Sequence, residues 1–99
     1  MGMTKTIEGK KLTVVMNGRF DTLSATEIEK EITAALAGME LLELDMAKLQ
    51  YISSAGLRVL LTLHKAMAAN GGAMTLNAVP EDVMDILQIT GFASILDIR

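Results

Sequence analysis

The chain of 99 residues contains no cysteine. This absence excludes disulfide bonds, thiolate nucleophiles and zinc sites that use cysteine ligands. It is also typical of proteins in a reducing compartment, and we predict a cytoplasmic location. No apolar run approaches the roughly 20 residues of a membrane-spanning helix, and no basic segment leads into an apolar one as in a signal peptide. We therefore expect no direct insertion into a membrane.

Aromatic residues, histidine and positive charge are also scarce. Aromatic residues make up 3% of the chain and the formal net charge is −3, which argues against nucleic-acid binding. The single histidine, His64, lies ten residues after Ser54, about 15 Å along a helix and too far away to activate that hydroxyl. Hydrolase, metal-binding and phosphate-loop motifs are absent. We predict a non-enzymatic protein without catalytic residues, metal or cofactor. An enzyme is kept as a further alternative, which would need a histidine or metal site that the sequence does not show.

Strand-like and helix-like segments alternate along the chain. The first clear strand has Leu12, Val14 and Met16 on one face, whereas the helical segments repeat their apolar residues with a period of three to four. The predicted elements, in chain order, are two strands in TKTIEGKKLTVVMNG, a helix in SATEIEKEITAALAG, a strand in MELLELDM, a helix in SAGLRVLLTLHKAMAANGG, a strand in AMTLNA, a helix in PEDVMDILQITG and a strand in SILDI.

Residues at the helix starts predict how the first and third helices begin. Ser24 and Glu27 have the spacing of a capping box, and Leu23 and Ile28 that of a hydrophobic staple. Pro80 is expected at the first helical position of the third helix, where its missing N–H has no cost.

The order of elements predicts an α/β fold. We expect a single domain over residues 1–99, with a mixed, mainly parallel sheet of four to five strands, three main helices and an antiparallel N-terminal strand. The carboxyl ends of parallel strands share one edge, where α/β proteins place many functional sites. Asp21, Asp45 and the pair Ser53–Ser54 are therefore predicted to gather there.

The pair Ser53–Ser54 precedes a helix whose first turn contains no acidic residue. In this interpretation Glu27 supplies an acidic side chain to the N-terminus of the first helix, and Glu81 and Asp82 supply theirs to the N-terminus of the third. The open N–H groups of the second helix would accept an anion, and a phosphate there would be compatible with the fold. A serine helix cap explains the same residues, so the residue pattern alone leaves both interpretations open.

Three segments resemble the STAS domain of bacterial anti-sigma-factor antagonists: GRFDTLSATEIEKEI, LELDMAKLQYISSAGLRVLL and NGGAMTLNAVPEDVMDILQITGF. The resemblance implies that an anti-sigma factor serine kinase phosphorylates Ser54 and that a PP2C-type phosphatase reverses the modification. It also implies that the phosphorylated antagonist no longer binds the kinase. Asp21 matches the family's aspartate beside the acceptor. Many members have Asp before the acceptor and Ser or Thr after it, whereas this chain has Ser53 and Ala55, so Ser53 is the alternate acceptor.

The resemblance predicts a partner-binding surface at the start of the second helix. Arg58, one turn into the helix, either pairs with an acidic residue of the partner or is simply solvated. The alternative function is a non-phosphorylated STAS subunit of a transporter or lipid-transport system. The predicted partner-binding residues are Asp21, Thr22, Ser53, Ser54, Ala55, Leu57 and Arg58.

Overall fold

The computed structural model describes residues 2–99. Its helices and strands follow the predicted order, and a 3₁₀ turn at Phe92–Ser94 precedes the last strand. The elements are β1 (Gly2–Glu8), β2 (Lys11–Phe20), α1 (Thr22–Ala35), β3 (Leu41–Ile52), α2 (Ser54–Ala69), β4 (Ala73–Asn77), α3 (Glu81–Ile89) and β5 (Asp97–Ile98).

The five strands form one mixed sheet in the order β1-β2-β3-β4-β5. Strand β1 is antiparallel to β2, and all the other neighbours are parallel. Three successive right-handed crossovers that advance in one direction place all three helices on the same face. The predicted α/β fold is therefore confirmed, with five strands.

The helix-covered face of the sheet forms the core. Leu12, Val14 and Met16 are fully buried there, as their alternation predicted, and Leu42 and Leu44 continue the layer on β3. The opposite face is polar. A chain of contacts crosses three strands on it: Lys11 pairs with Glu43, Asn77 donates to Glu43, and Thr75 donates to Asn77.

Strand β3 is longer than the sequence predicted, and the prediction that Asp45 lies at the site edge is wrong. Asp45 pairs with Val15 and Asn77 in mid-strand, about 26 Å before Ser53 at roughly 3.3 Å per residue. Two register shifts against β2 follow it, and the Asp45 carboxylate accepts the N–H of Ala47 at 3.0 Å beside the first. These shifts break the alternation of buried residues, so the segment resembled a loop in sequence.

Helix α1 begins earlier than predicted, and the Ser24–Glu27 capping box is wrong. Asp21 is the N-cap, and its side chain accepts the N–H groups of Leu23 and Ser24, while the Ser24 hydroxyl accepts the N–H of Asp21. The hydrophobic staple is also wrong, because the Leu23 side chain is exposed. The helix follows β2 directly, and an aspartate caps a helix as well as a serine does.

The C-terminal third of the chain differs from the prediction in two details. Pro80 is the N-cap of α3 rather than its first helical residue. The predicted closing strand is reduced to Asp97–Ile98, because Ser94 belongs to the 3₁₀ turn.

Candidate functional site

The carboxyl ends of β2 and β3 place the starts of two helices side by side. Phe20 and Ile52 are register partners, and the N–H of Ser53 donates to the Phe20 carbonyl at 2.9 Å. Asp21 and Ser53 come directly after these strands and are the N-caps of α1 and α2. The structure thus brings Asp21 together with the serine pair.

The two serines have different roles in α2. The Ser53 hydroxyl accepts the N–H of Gly56 at 3.2 Å, and its side chain is half-buried. Ser54 is the first helical residue and is exposed. Among the side-chain hydrogen bonds of residues 2–99, none involves the Ser54 hydroxyl. Ser53 is therefore the helix cap, and Ser54 presents a free hydroxyl to solvent.

Gly56 allows α2 to start close to the ends of both strands. A Cβ atom at this position would lie 2.8 Å from the Phe20 carbonyl oxygen and 2.9 Å from Cγ1 of Ile52. Only glycine lets the first turn approach this closely without displacing backbone. The close contact fixes the position of Ser54 relative to Asp21.

The Asp21 carboxylate is held by donors on its own helix. The N–H of Ser24 is the main cause that lowers the pKa of Asp21 below its ordinary value of 3.8, and partial burial opposes it. The Ser24 hydroxyl, the Leu23 N–H and the Arg19 guanidinium, 4.0 Å away, lower the pKa further. Asp21 is therefore ionised at neutral pH and contributes a fixed negative charge beside the serines.

The variant Asp21→Asn is expected to reduce the pH dependence of stability. Because the carboxyl pKa is lower in the folded protein, its contribution is complete above the unfolded value, near 3.8, and is lost as pH falls through the folded value. The stability advantage of wild type over the variant should therefore shrink in acid, as measured by thermal unfolding across pH. A difference between the two proteins that is constant with pH would contradict this assignment.

A cleft of about 200 Å³ lies between α1 and α2, beside the serine pair. Thr22 and Ala55 lie at its end near Ser54, and Arg58 contributes a cation. Its lining residues are Thr22, Ala25, Thr26, Glu29, Ala55, Arg58, Val59 and Thr62. Thr22, Ala55 and Arg58, all predicted as partner-binding residues, therefore share one accessible surface next to Ser54.

Leu57 does not share this surface. It is 6% exposed and belongs to the core, so its side chain is not available for the partner contact that the sequence predicted.

Comparison with known proteins identifies the family. The family profile of the STAS domain matches residues 3–99. This chain belongs to the STAS domain family. BtrV of Bordetella bronchiseptica strain RB50, named as an anti-sigma factor antagonist, is 33% identical to this STAS domain over 88 residues, 88% of this chain and 76% of BtrV.

Solved structures confirm the fold of this STAS domain. The Thermotoga maritima protein TM1081 superposes with a TM-score of 0.90 at 20% identity, over 97% of this chain and 84% of that one. SpoIIAA in its unphosphorylated form superposes with a TM-score of 0.86 at 15% identity, over 99% and 88% of the two chains. Phosphorylated SpoIIAA from Bacillus superposes with a TM-score of 0.78 at 14% identity, over 99% and 91%.

Two surface features of this STAS domain were missed in the sequence. Leu23 is 93% exposed at the start of α1, next to Asp21. The Arg19 guanidinium lies over the Tyr51 ring, 4.2 Å from its centroid, and this contact joins the ends of β2 and β3. Leu23 was missed because the predicted hydrophobic staple made it a packed residue. The Arg19–Tyr51 pair was missed because it depends on the register between β2 and β3, which the bulges of β3 determine.

Two structural features are absent from the part of the chain that the structure describes. Within residues 2–99, no group of three His, Asp or Glu side chains is placed to hold a metal ion. No helix in this range is long and apolar enough to cross a membrane.

Proposed function

We propose that this STAS domain is a cytoplasmic anti-sigma factor antagonist that binds a serine-kinase anti-sigma factor and is released when Ser54 is phosphorylated. A PP2C-type phosphatase restores the binding form. The observation that carries the proposal is the exposed, unbonded hydroxyl of Ser54 at the start of α2, beside a surface that a partner can cover. The name of the relative BtrV supports the same class of function.

Phosphorylation at Ser54 is expected to change the surface and not the fold. A phosphate adds about −1.5 to −2 charges at neutral pH. At the first position of a helix this charge faces the unpaired N–H groups and the positive end of the helix dipole, which tolerate it. The first turn of α2 contains no acidic residue to oppose it. A partner packed against Ser54 would instead meet a bulky dianion next to the carboxylate of Asp21.

The proposed partner surface surrounds Ser54 and combines charge with one apolar anchor. Arg58 supplies a cation in the cleft between α1 and α2, whereas Asp21 and Leu23 line a second depression at the start of α1. Leu23 supplies an apolar side chain that is almost fully exposed. A single exposed leucine is common on protein surfaces, and Leu23 is assigned to the proposed surface because it lies beside the N-cap Asp21 at the start of α1. The proposed partner surface comprises Asp21, Thr22, Leu23, Ser53, Ser54, Ala55 and Arg58.

The decisive experiment mixes the STAS domain with the serine-kinase anti-sigma factor of the same organism. A stable complex is expected by size-exclusion chromatography, and addition of ATP and magnesium should dissociate it. Absence of a complex would overturn the proposal. A complex that ATP does not affect would favour the alternative, a structural subunit that binds without phosphorylation.

In the same assay, Leu23→Ser is expected to weaken the complex about tenfold or more, because burying a leucine side chain on binding contributes about 1.5–3 kcal/mol. Ile89→Ser is the matched control, since Ile89 is 86% exposed, at the end of α3. Equal affinity of Leu23→Ser and wild type, or equal weakening by both variants, would remove Leu23 from the partner surface. Both variants should unfold at the wild-type temperature.

A further inference from the structure

Ser54 and Arg58 lie one helical turn apart on the exposed face of α2. Residues at this spacing have Cβ atoms about 5–6 Å apart. Helical side chains lean toward the N-terminus, so a long side chain at Arg58 covers the turn that contains Ser54. Its guanidinium can therefore reach a group attached to the Ser54 oxygen without any change of backbone.

Arg58 has no carboxylate partner within residues 2–99. It lines the cleft between α1 and α2 together with Glu29, yet these two side chains do not form an ion pair. The ion pairs in this range are Lys10–Glu40, Lys11–Glu43, Arg19–Asp21 and Arg99–Asp97. The guanidinium of Arg58 is thus free to turn from the cleft toward Ser54.

We infer that Arg58 is the intramolecular binding residue for the phosphate on Ser54, an inference that rests on the proposed function. A guanidinium binds a phosphate dianion through two parallel hydrogen bonds, more strongly than it binds solvent. When it turns, the cleft loses its cation and retains the carboxylate of Glu29. Phosphorylation therefore acts at two points: it places a dianion at Ser54, and it withdraws Arg58 from the surface offered to the partner.

The test uses phosphoserine introduced at position 54 during translation, so that no kinase is needed. The second ionisation of the phosphate is followed by phosphorus NMR against pH in the parent protein and in Arg58→Gln. Loss of the guanidinium should raise this pKa by about 0.15–0.4 unit, as expected for an ion pair one turn apart. Arg58→Lys, which keeps the charge, should restore part of the shift.

The control is Lys65→Gln, which removes an exposed cation farther along the same helix. The phosphate on Ser54 should have the same second pKa in this variant as in the parent protein. An unchanged pKa in Arg58→Gln, or an equal rise in Lys65→Gln, would overturn the inference. The proposed function fails separately, if the kinase does not bind the unmodified protein.

Discussion

Replacing Ser54 with alanine is expected to abolish transfer of phosphate from the kinase to this STAS domain, whereas Ser53→Ala should still accept one phosphate. The Ser54 hydroxyl is exposed and unbonded among the described residues, while the Ser53 hydroxyl is half-buried and accepts the Gly56 N–H. Attack on ATP requires an accessible oxygen whose lone pairs are free. Intact mass after incubation with kinase and ATP measures the result directly.

The controls separate loss of the acceptor from loss of structure. Ser54→Ala keeps the cap and should unfold like wild type. Ser53→Ala removes the cap and should lower the free energy of unfolding by about 1 kcal/mol. A phosphate that persists on Ser54→Ala and disappears on Ser53→Ala would move the acceptor to Ser53, and no phosphate on wild type would refute the switch.

Gly56→Ala is expected to lower the free energy of unfolding by about 1–3 kcal/mol. The added Cβ would lie 2.8 Å from the Phe20 carbonyl oxygen and 2.9 Å from Ile52 Cγ1, so α2 must move away from the strand ends. Alanine is the better helix former by about 1 kcal/mol, which only partly offsets this clash. Urea unfolding followed by circular dichroism measures the difference.

Gly2→Ala provides the matched control for Gly56→Ala. At Gly2 the nearest atom to an added Cβ is Asn17 Cβ at 3.7 Å, an ordinary contact. This variant should be within about 0.5 kcal/mol of wild type, as is usual for surface substitutions. If Gly56→Ala were as stable as wild type, the close approach of α2 to β2 and β3 would not be a constraint on the fold.

Local patterns of apolar and polar residues predict most of the architecture. Alternation in β2 identifies the buried face through Leu12, Val14 and Met16, and all three are fully buried. The order of strands and helices predicts a mainly parallel sheet with one antiparallel edge strand, which the register confirms. These features follow from periodicity, which each segment carries within itself.

Features that depend on the pairing of distant segments are predicted poorly. The bulges that extend β3 past Asp45 exist because β2 pairs with the whole strand, and no local pattern records this register. The cap of α1 lies at Asp21 because β2 runs up to Phe20 and leaves the next residue to start the helix. The sequence pattern consequently assigns Leu23 a packing contact, although its side chain faces solvent.

The family and the fold follow from the residues alone: YISSAGLRVL and its neighbouring segments identify a STAS domain, and the profile match over residues 3–99 confirms it. The two serines, in contrast, are distinguished only by tertiary contacts. Ser53 is a cap and Ser54 is free because Gly56 packs against the ends of β2 and β3, which fixes how the first turn of α2 is oriented. That orientation depends on the packing of Gly56 against Phe20, 36 positions earlier in the chain, and the order of residues within one helix cannot specify it.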